Sequence, residues 1–247
     1  MKDDLIDKFN EVEKFHWWWA GRQELIKNLL IDENPKNVLD VGCGTGETLS
    51  FLKTIFPQAR LVGVDVSGQA VKYTKHRGHG AKIADALHLP FADGSFDTVL
   101  LLDVIEHIKD DAKVVKEAKR VLKPGGTIII TVPALQIIWS AHDVNQGHFR
   151  RYTRHRLCSL AQKNKLKIRF LSYFNFFLSP AIIPIRLMSR LSPLKRLGEY
   201  DSRLNYRLAY NKVVNSVLKF LFITEIRLLK YITYPWGVSV AIKMEKP

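Results

Sequence analysis

Two cysteines, Cys43 and Cys158, are too few for a disulfide framework, which suits a reducing compartment. No apolar run reaches the roughly eighteen residues that a membrane-spanning helix requires. The two candidates, Ala181 to Ile185 and Val213 to Ile223, are bounded or interrupted by Pro180, Pro184, Arg186 and Lys219. Met1-Lys2-Asp3-Asp4 lacks a basic stretch leading into an apolar core, so no secretory leader is expected and a cytoplasmic placement is. Acidic residues become scarce after residue 149. Residues 1–149 carry 18 Lys and Arg against 20 Asp and Glu, whereas residues 150–247 carry 20 against 4. Such one-sided charge is either a plain solvated surface or a contact with a polyanion, an anionic membrane or a nucleic acid. There is no internal repeat and no low-complexity tract, and 47% hydrophobic residues are enough to bury a core.

From residue 37 onward short apolar runs alternate with amphipathic stretches. Asn37–Val41, Leu61–Asp65, Ala81–Ala84, Asp97–Asp103 and Gly126–Val132 read as strands, with helices over Glu47–Ile55, Gly68–His76 and Asp110–Leu122. This alternation predicts βαβ units and a buried parallel sheet. Lys123-Pro124-Gly125-Gly126 reads as the stop of the third helix. Ahead of the sheet, two helices are expected over Leu5–Trp19 and Gly21–Leu30. Beyond it come a helix over Thr153–Asn164 and strands over Leu166–Tyr173 and Gly237–Lys243. The expected organisation is an N-terminal helical lid (1–30), a core (31–173 and 235–247) and a basic, apolar helical insertion (174–234).

The strand ending at Val41 runs into Gly42-Cys43-Gly44-Thr45-Gly46, and a helix begins at Glu47. Glycines there let a ligand approach the backbone closely, and the helix N-terminal amides face it. A dinucleotide fingerprint places its third glycine at 47, where Glu stands, and no G-x-x-x-x-G-K-[ST] occurs, so a pyrophosphate and a nucleoside triphosphate are disfavoured.

Val38-Leu39-Asp40-Val41-Gly42-Cys43-Gly44-Thr45-Gly46 resembles the first motif of the class I S-adenosylmethionine-dependent methyltransferases. Val62-Gly63-Val64-Asp65-Val66-Ser67, Ala84-Asp85-Ala86, the stretch from Phe91 to His107 and Val121 to Thr127 extend the resemblance over residues 37–133. The resemblance implies a doubly wound α/β fold with a mostly parallel seven-stranded sheet, N-terminal helices and a helical insertion before the last strand. It implies S-adenosylmethionine as cofactor, with Asp40 near the methionine ammonium, the Gly42, Cys43, Gly44 and Gly46 backbone against it, Asp65 on the ribose hydroxyls and Asp85 on the adenine amino group. Val66, Ala86 and Leu102 are expected to line the same site. Glu13, Trp17 to Trp19 and Arg22 resemble the lid of small-molecule members, with Arg22 counted among the cofactor contacts, and Pro235 to Ser239 resembles their closing hairpin.

Methyl transfer is an in-line displacement that mainly demands alignment and exclusion of water, plus a base if the acceptor keeps its proton. Histidine is the natural base, and His107, His142 and His148 lie near the C-terminal ends of the fourth and fifth strands; His107 is as readily structural as catalytic. Asp143, Arg150, Arg151 and Tyr152, beside Gly147-His148, read as an acceptor site in a loop over the sheet edge, and the string resembles one in bacterial methyltransferases of the polysaccharide and lipid type. The arginine pair would grip a phosphate or carboxylate, or merely pair with acids at a helix start. His142, His148 and His155 show no metal-ligand spacing, so no metal is expected. The absence of an Asn/Asp-Pro-Pro-Tyr segment disfavours amino-purine and glutamine methylation, and neither cysteine suits attack on cytosine.

The expected function is methylation of a small-molecule or lipid- or glycan-linked acceptor, with an anionic membrane surface as partner at its cytoplasmic face. The alternatives are an RNA methyltransferase using the basic C-terminal part, against which the basic residues are mixed with aliphatic ones, and a catalytically silent module that keeps the fold for interaction.

Overall fold

The computed structural model describes residues 3–188 and 208–247. The parallel part of the sheet is built from β1 (Asn37–Val41), β2 (Arg60–Asp65), β3 (Gly80–Ile83), β4 (Phe96–Leu102) and β5 (Leu122–Pro133). Val38, Leu39 and Val41 of β1 and Val99, Leu100 and Leu101 of β4 are all buried, as in parallel strands covered on both faces. Two later strands, β6 (Lys167–Phe174) and β7 (Ser239–Glu245), complete a seven-stranded sheet of order β3-β2-β1-β4-β5-β7-β6. Only β7 runs antiparallel to its neighbours. Chain order reverses between β1 and β4, the switch point at which open α/β sheets bind ligands. The turns after these strands touch: a Cβ on Gly42 would fall 2.6 Å from Val104 Cγ2.

Helices α1 (Asp3–Val12) and α2 (Trp17–Leu30) precede β1, and α3 (Glu47–Ile55), α4 (Gly68–His76) and α5 (Asp111–Val121) connect the parallel strands. The expected boundary between the first two helices is moved by several residues. The tryptophan run does not close α1; it forms the first turn of α2. His16 stands extended there and its side chain accepts from Trp18 N, while Trp17 N donates to Asn215 Oδ1 at 3.0 Å. A cap supplied by a residue 198 positions away leaves no local signature. Lys123 to Gly126 likewise belongs to β5 instead of merely stopping the helix before it. A register shift between Phe96 and Thr98 absorbs this segment, in which Pro124 has no N–H to donate.

Beyond β5 come α6 (Ala141–Gln146) and α7 (Arg154–Lys163), and between β6 and β7 lie α8 (Ser179–Met188) and α9 (Lys212–Leu228). The middle of the expected insertion, 189–207, lies outside the described residues. No described helix is long and apolar enough to cross a membrane. α9 packs on α2, with the Phe222 ring 5.6 Å from Trp17 and 5.5 Å from Trp18. Asn28 Nδ2 donates to Ile226 O at 3.2 Å and Arg227 pairs with Glu24 at 3.1 Å across the same seam. Fully buried Glu225 accepts from Phe176 N and Phe177 N, at 2.9 and 2.8 Å, which pins the chain leaving β6 to α9.

Candidate active site

Gly42, Gly44 and Gly46 carry φ of 74, 53 and 83°, the left-handed region that glycine enters without strain. A Cβ on Gly44 would meet nothing within 4 Å, so this turn presents bare backbone to open space. That space is a cavity of about 440 Å³. Its lining includes Asp40, Gly42, Cys43, Gly44 and Thr45 from the turn, Leu102, Asp103, Glu106 and His107 at the end of β4, and His142, His148 and Arg151 from the loop after β5. The N-terminal helices add Glu13, Trp18 and Arg22, and the chain between β6 and β7 adds Asn175, Leu178, Ile182 and Leu218.

The cofactor side is strongly charged. Asp40 is buried, and burial outweighs the nearby Arg22 cation to push its carboxyl up to about 7. Arg22 Nη1 donates to Asp103 Oδ2 at 3.1 Å, and Asp103 itself holds a left-handed φ of 57°. Glu13, at the end of α1, accepts from Thr45 Oγ1 and from Arg77 Nη2, the latter at 2.6 Å, clasping the lid to the glycine turn and to α4. Burial raises its carboxyl to about 7 despite those partners. Asp65 accepts from Gly44 N at 3.0 Å and Ser67 N at 2.9 Å, bracing the turn from the next strand. Asp65, Val66, Asp85 and Ala86 are not part of the cavity lining; they lie at the ends of β2 and β3, beside it in the sheet order. Asp85 is exposed and accepts from Leu87 N, and Val66 and Ile83 are 66% and 65% exposed at the ends of neighbouring strands. Cys43 is buried against Thr74 and its thiol is pushed far up by burial, which leaves it inert as a nucleophile.

The loop after β5 is organised around Asp143, which is fully buried. It accepts from Arg151 Nε at 2.8 Å, Arg151 Nη2 at 3.0 Å and Ser140 N at 2.9 Å, and His148 Nδ1 lies 2.9 Å from its Oδ1. Despite burial, His148 and Arg151 hold the carboxylate well below its ordinary range. An ionised partner of this kind fixes the proton on Nδ1 and leaves Nε2 of His148 with its lone pair. Burial, then the His148 ring 4.7 Å away, pushes His107 down to about 4. Loss of solvent, then the Arg186 cation, pushes His142 down to about 3.

The four residues read as an acceptor grip are dispersed by the fold. Tyr152 is fully buried and its hydroxyl donates to Asp111 Oδ2 at 2.9 Å; Arg150 pairs with the same carboxylate at 3.0 Å, and neither lines the cavity. Asp143 and Arg151 form a buried pair and Arg151 also donates to Ala134 O, so their charges are spent on the loop itself. Sequence reasoning passed over Glu106, Asp103, Asn175 and Arg186, all of which line the cavity. Glu106 and Asp103 were signalled by their places near His107 at the end of β4; Asn175 and Arg186 become visible only once the chain after β6 and α8 are folded over the site. Spacing along the chain also offered no ligand set, yet Glu106, His107 and His148 bring ligand atoms within 4.8 Å of one another.

A mostly parallel sheet with an antiparallel β7, a left-handed glycine turn after β1 and a carboxylate closing β2 are the fold features of the class I S-adenosylmethionine-dependent methyltransferases that the sequence resembles. Residues 39–130 match the family described as a methyltransferase domain. Malonyl-(acyl-carrier protein) O-methyltransferase of Hahella chejuensis is 31% identical over 164 residues, covering 61% of this chain and 59% of that protein. Demethylmenaquinone methyltransferase of Thermotoga maritima is 30% identical over 129 residues, 51% and 56% of the two chains. The Haemonchus contortus phosphoethanolamine N-methyltransferase 2, solved with phosphomonomethylethanolamine and S-adenosylhomocysteine, shares the fold at a TM-score of 0.64 and 18% identity, over 100% of this chain and 58% of that one. The chain spans between 24% and 59% of the length of the curated relatives it matches.

Proposed function

We propose that this chain is a methyltransferase that holds S-adenosylmethionine against the Gly42 to Gly46 turn and passes its methyl group to an acceptor in the cavity beneath α2, α8 and α9. The observation that carries this reading is that one cavity is lined both by the glycine turn with Asp40 and Arg22 and by Glu106, His107 and His148. The open space over Gly44 and the buried, cation-hungry Asp40 fit the cofactor. When bound, the cofactor supplies an activated methyl on a sulfonium centre.

The chain's residues do the rest. Asp40 receives the ammonium, Arg22 lies where it can balance the neighbouring carboxyl groups, and Asp65 leaves Gly44 N to accept from the ribose hydroxyls. Val66 and Ile83 gain a partner when a planar base covers them, with Asp85 at its edge. Trp18, Leu178, Ile182 and Leu218 exclude water and favour an acceptor with an apolar part. His107 and His142, held well down, stay neutral near pH 7 and are weak bases; His148, oriented by Asp143, is the group best prepared to meet an acceptor proton or oxygen.

A lipid-linked acceptor at an anionic membrane is supported by α9, where Val213, Val217 and Phe220 form an exposed apolar stripe (Val213 73%, Phe220 69%) on a part of the chain rich in Lys and Arg. The direct test is calorimetry with S-adenosylhomocysteine followed by transfer of labelled methyl to candidate lipid and small-molecule acceptors. Absence of cofactor binding would end the reading.

A further inference from the structure

Methyl transfer alone gives Glu106 no partner. Glu106 is fully buried, and neither carboxyl oxygen meets a hydrogen-bond donor among the described residues. A carboxylate taken out of water without a partner costs several kcal/mol, and protonating it still leaves an O–H with nothing to donate to. Two imidazoles face this group: the His107 and His148 rings lie edge to face, 4.7 Å apart, and one ligand atom from each of the three residues lies within 4.8 Å of the other two.

We propose that Glu106, His107 and His148 bind one divalent first-row transition cation, of the zinc, cobalt or manganese type, inside the cavity. Two imidazoles and one carboxylate form a borderline donor set that suits such ions better than calcium or magnesium. Donor atoms around an ion at about 2.0–2.2 Å sit about 3–3.5 Å apart, so side-chain shifts of about 1 Å close the cluster. The support behind the ligands is already built. Asp143 holds Nδ1 of His148 at 2.9 Å, which turns the Nε2 lone pair outward in a carboxylate–histidine–metal arrangement, and Arg151 locks Asp143 in turn. Glu106 and His107 share the short 3₁₀ turn Ile105–His107 that follows β4, so the fold sets their relative position as well. Arg22 already occupies Asp103, which keeps that nearby carboxylate out of the ligand set.

Resting on the methyl-transfer reading, the cation names the acceptor class. An ion of this type makes an oxygen-bound proton far more acidic, whereas it ties up the lone pair that an amine needs for attack. The acceptor is therefore a hydroxyl. With the His148 lone pair on the cation, the acceptor proton leaves to solvent instead of to that ring, the new C–O bond forms as the methyl C–S bond breaks, and sulfur keeps the electron pair as a neutral thioether.

The test uses the full chain, stripped with chelator and titrated with Co²⁺ alone, read by visible absorption and calorimetry, with Mg²⁺ as comparator. We expect one equivalent of Co²⁺ with a ligand-field spectrum. Glu106→Gln, His107→Ala and His148→Gln are each expected to weaken it at least tenfold to hundredfold, Asp143→Asn within that range, and the exposed His155→Ala not at all. Circular dichroism identifies any variant that fails to fold, and the remaining ones decide. No Co²⁺ bound by the parent protein, or one equivalent that survives in the folded cluster variants, overturns the site. S-adenosylhomocysteine calorimetry on the same samples separates the two ideas. Cofactor binding without Co²⁺ binding sinks the cation alone, and Co²⁺ binding without cofactor binding sinks the methyltransferase reading alone.

Discussion

Gly21 of α2 lies against the ring of Phe222 of α9, so close that a Cβ on Gly21 would fall 2.1 Å from the ring. The helix that follows the tryptophan run and the helix of the insertion meet at this absent side chain. Gly21→Val adds helix propensity but forces the ring out of a stack with Trp17, Trp18 and Phe174. Overpacking of this kind costs about 1–3 kcal/mol, more than the propensity gain of well under 1 kcal/mol. The thermal midpoint is expected to fall, and an unchanged midpoint would mean that the seam between α2 and α9 is loose.

Asp40 gives a pH-dependent signature. Its folded carboxyl titrates at about 7 against an ordinary value of 3.8. The unfolded chain therefore releases this proton first, so the folded state loses stability as pH climbs from about 4 to above 7. The full loss is on the order of 4 kcal/mol. Asp40→Asn is expected to leave stability at pH 4 nearly unchanged and to raise it most at pH 8, while abolishing the rise in cofactor affinity that the parent shows as Asp40 ionises. Denaturant melts and calorimetry at the two pH values check both halves.

Asp65→Ala removes the charged acceptor proposed for two ribose hydroxyls and also releases Gly44 N. Hydrogen bonds to charged groups contribute about 1.5–3 kcal/mol, so affinity for S-adenosylhomocysteine is expected to fall about tenfold to a hundredfold. Unchanged calorimetric affinity would place the ribose elsewhere.

Arg151 separates a structural role from an acceptor role. Arg151→Ala leaves Asp143 buried without its bidentate partner, a change that costs about 3–5 kcal/mol. Chemical denaturation is expected to show that loss. A variant as stable as the parent, impaired only in acceptor binding, would return Arg151 to the acceptor site.

Membrane contact is checked by co-sedimentation. The parent chain is expected to pellet with anionic vesicles at low salt, to release at high salt and to ignore neutral vesicles, and Phe220→Glu is expected to weaken the association. Failure to sediment in every condition, together with tight salt-sensitive RNA binding, would favour a nucleic-acid partner.

The sheet and the glycine turn were legible because their signals are local: short runs rich in apolar residues for β1 and β4, and glycines where φ must be positive. Helix ends set by distant residues were not, as at His16 and Trp17, whose cap depends on Asn215. Charged side chains were legible as a cluster but not by destination. Arg151 and Tyr152 read as part of an acceptor site in a loop over the sheet edge, whereas Asp143 and Asp111 draw them inside. Glu106 was legible as the neighbour of His107 but not as part of a cluster with His148, since only the folded loop after β5 brings that ring to it.

The antiparallel course of β7 has a consequence for how such a protein can change. Because β6 points the same way as β5 and β7 returns between them, antiparallel to both, the chain leaves β6 and re-enters β7 at the same rim, the one bearing the glycine turn. The described segments of this connection, α8 and α9 among them, thus lie on the rim that carries the cavity. Because the connection joins two neighbouring strand ends, its length can change without altering the ladder between β6 and β7, provided that the bridge from Tyr173 to Tyr234 and the packing of α9 on α2 are kept.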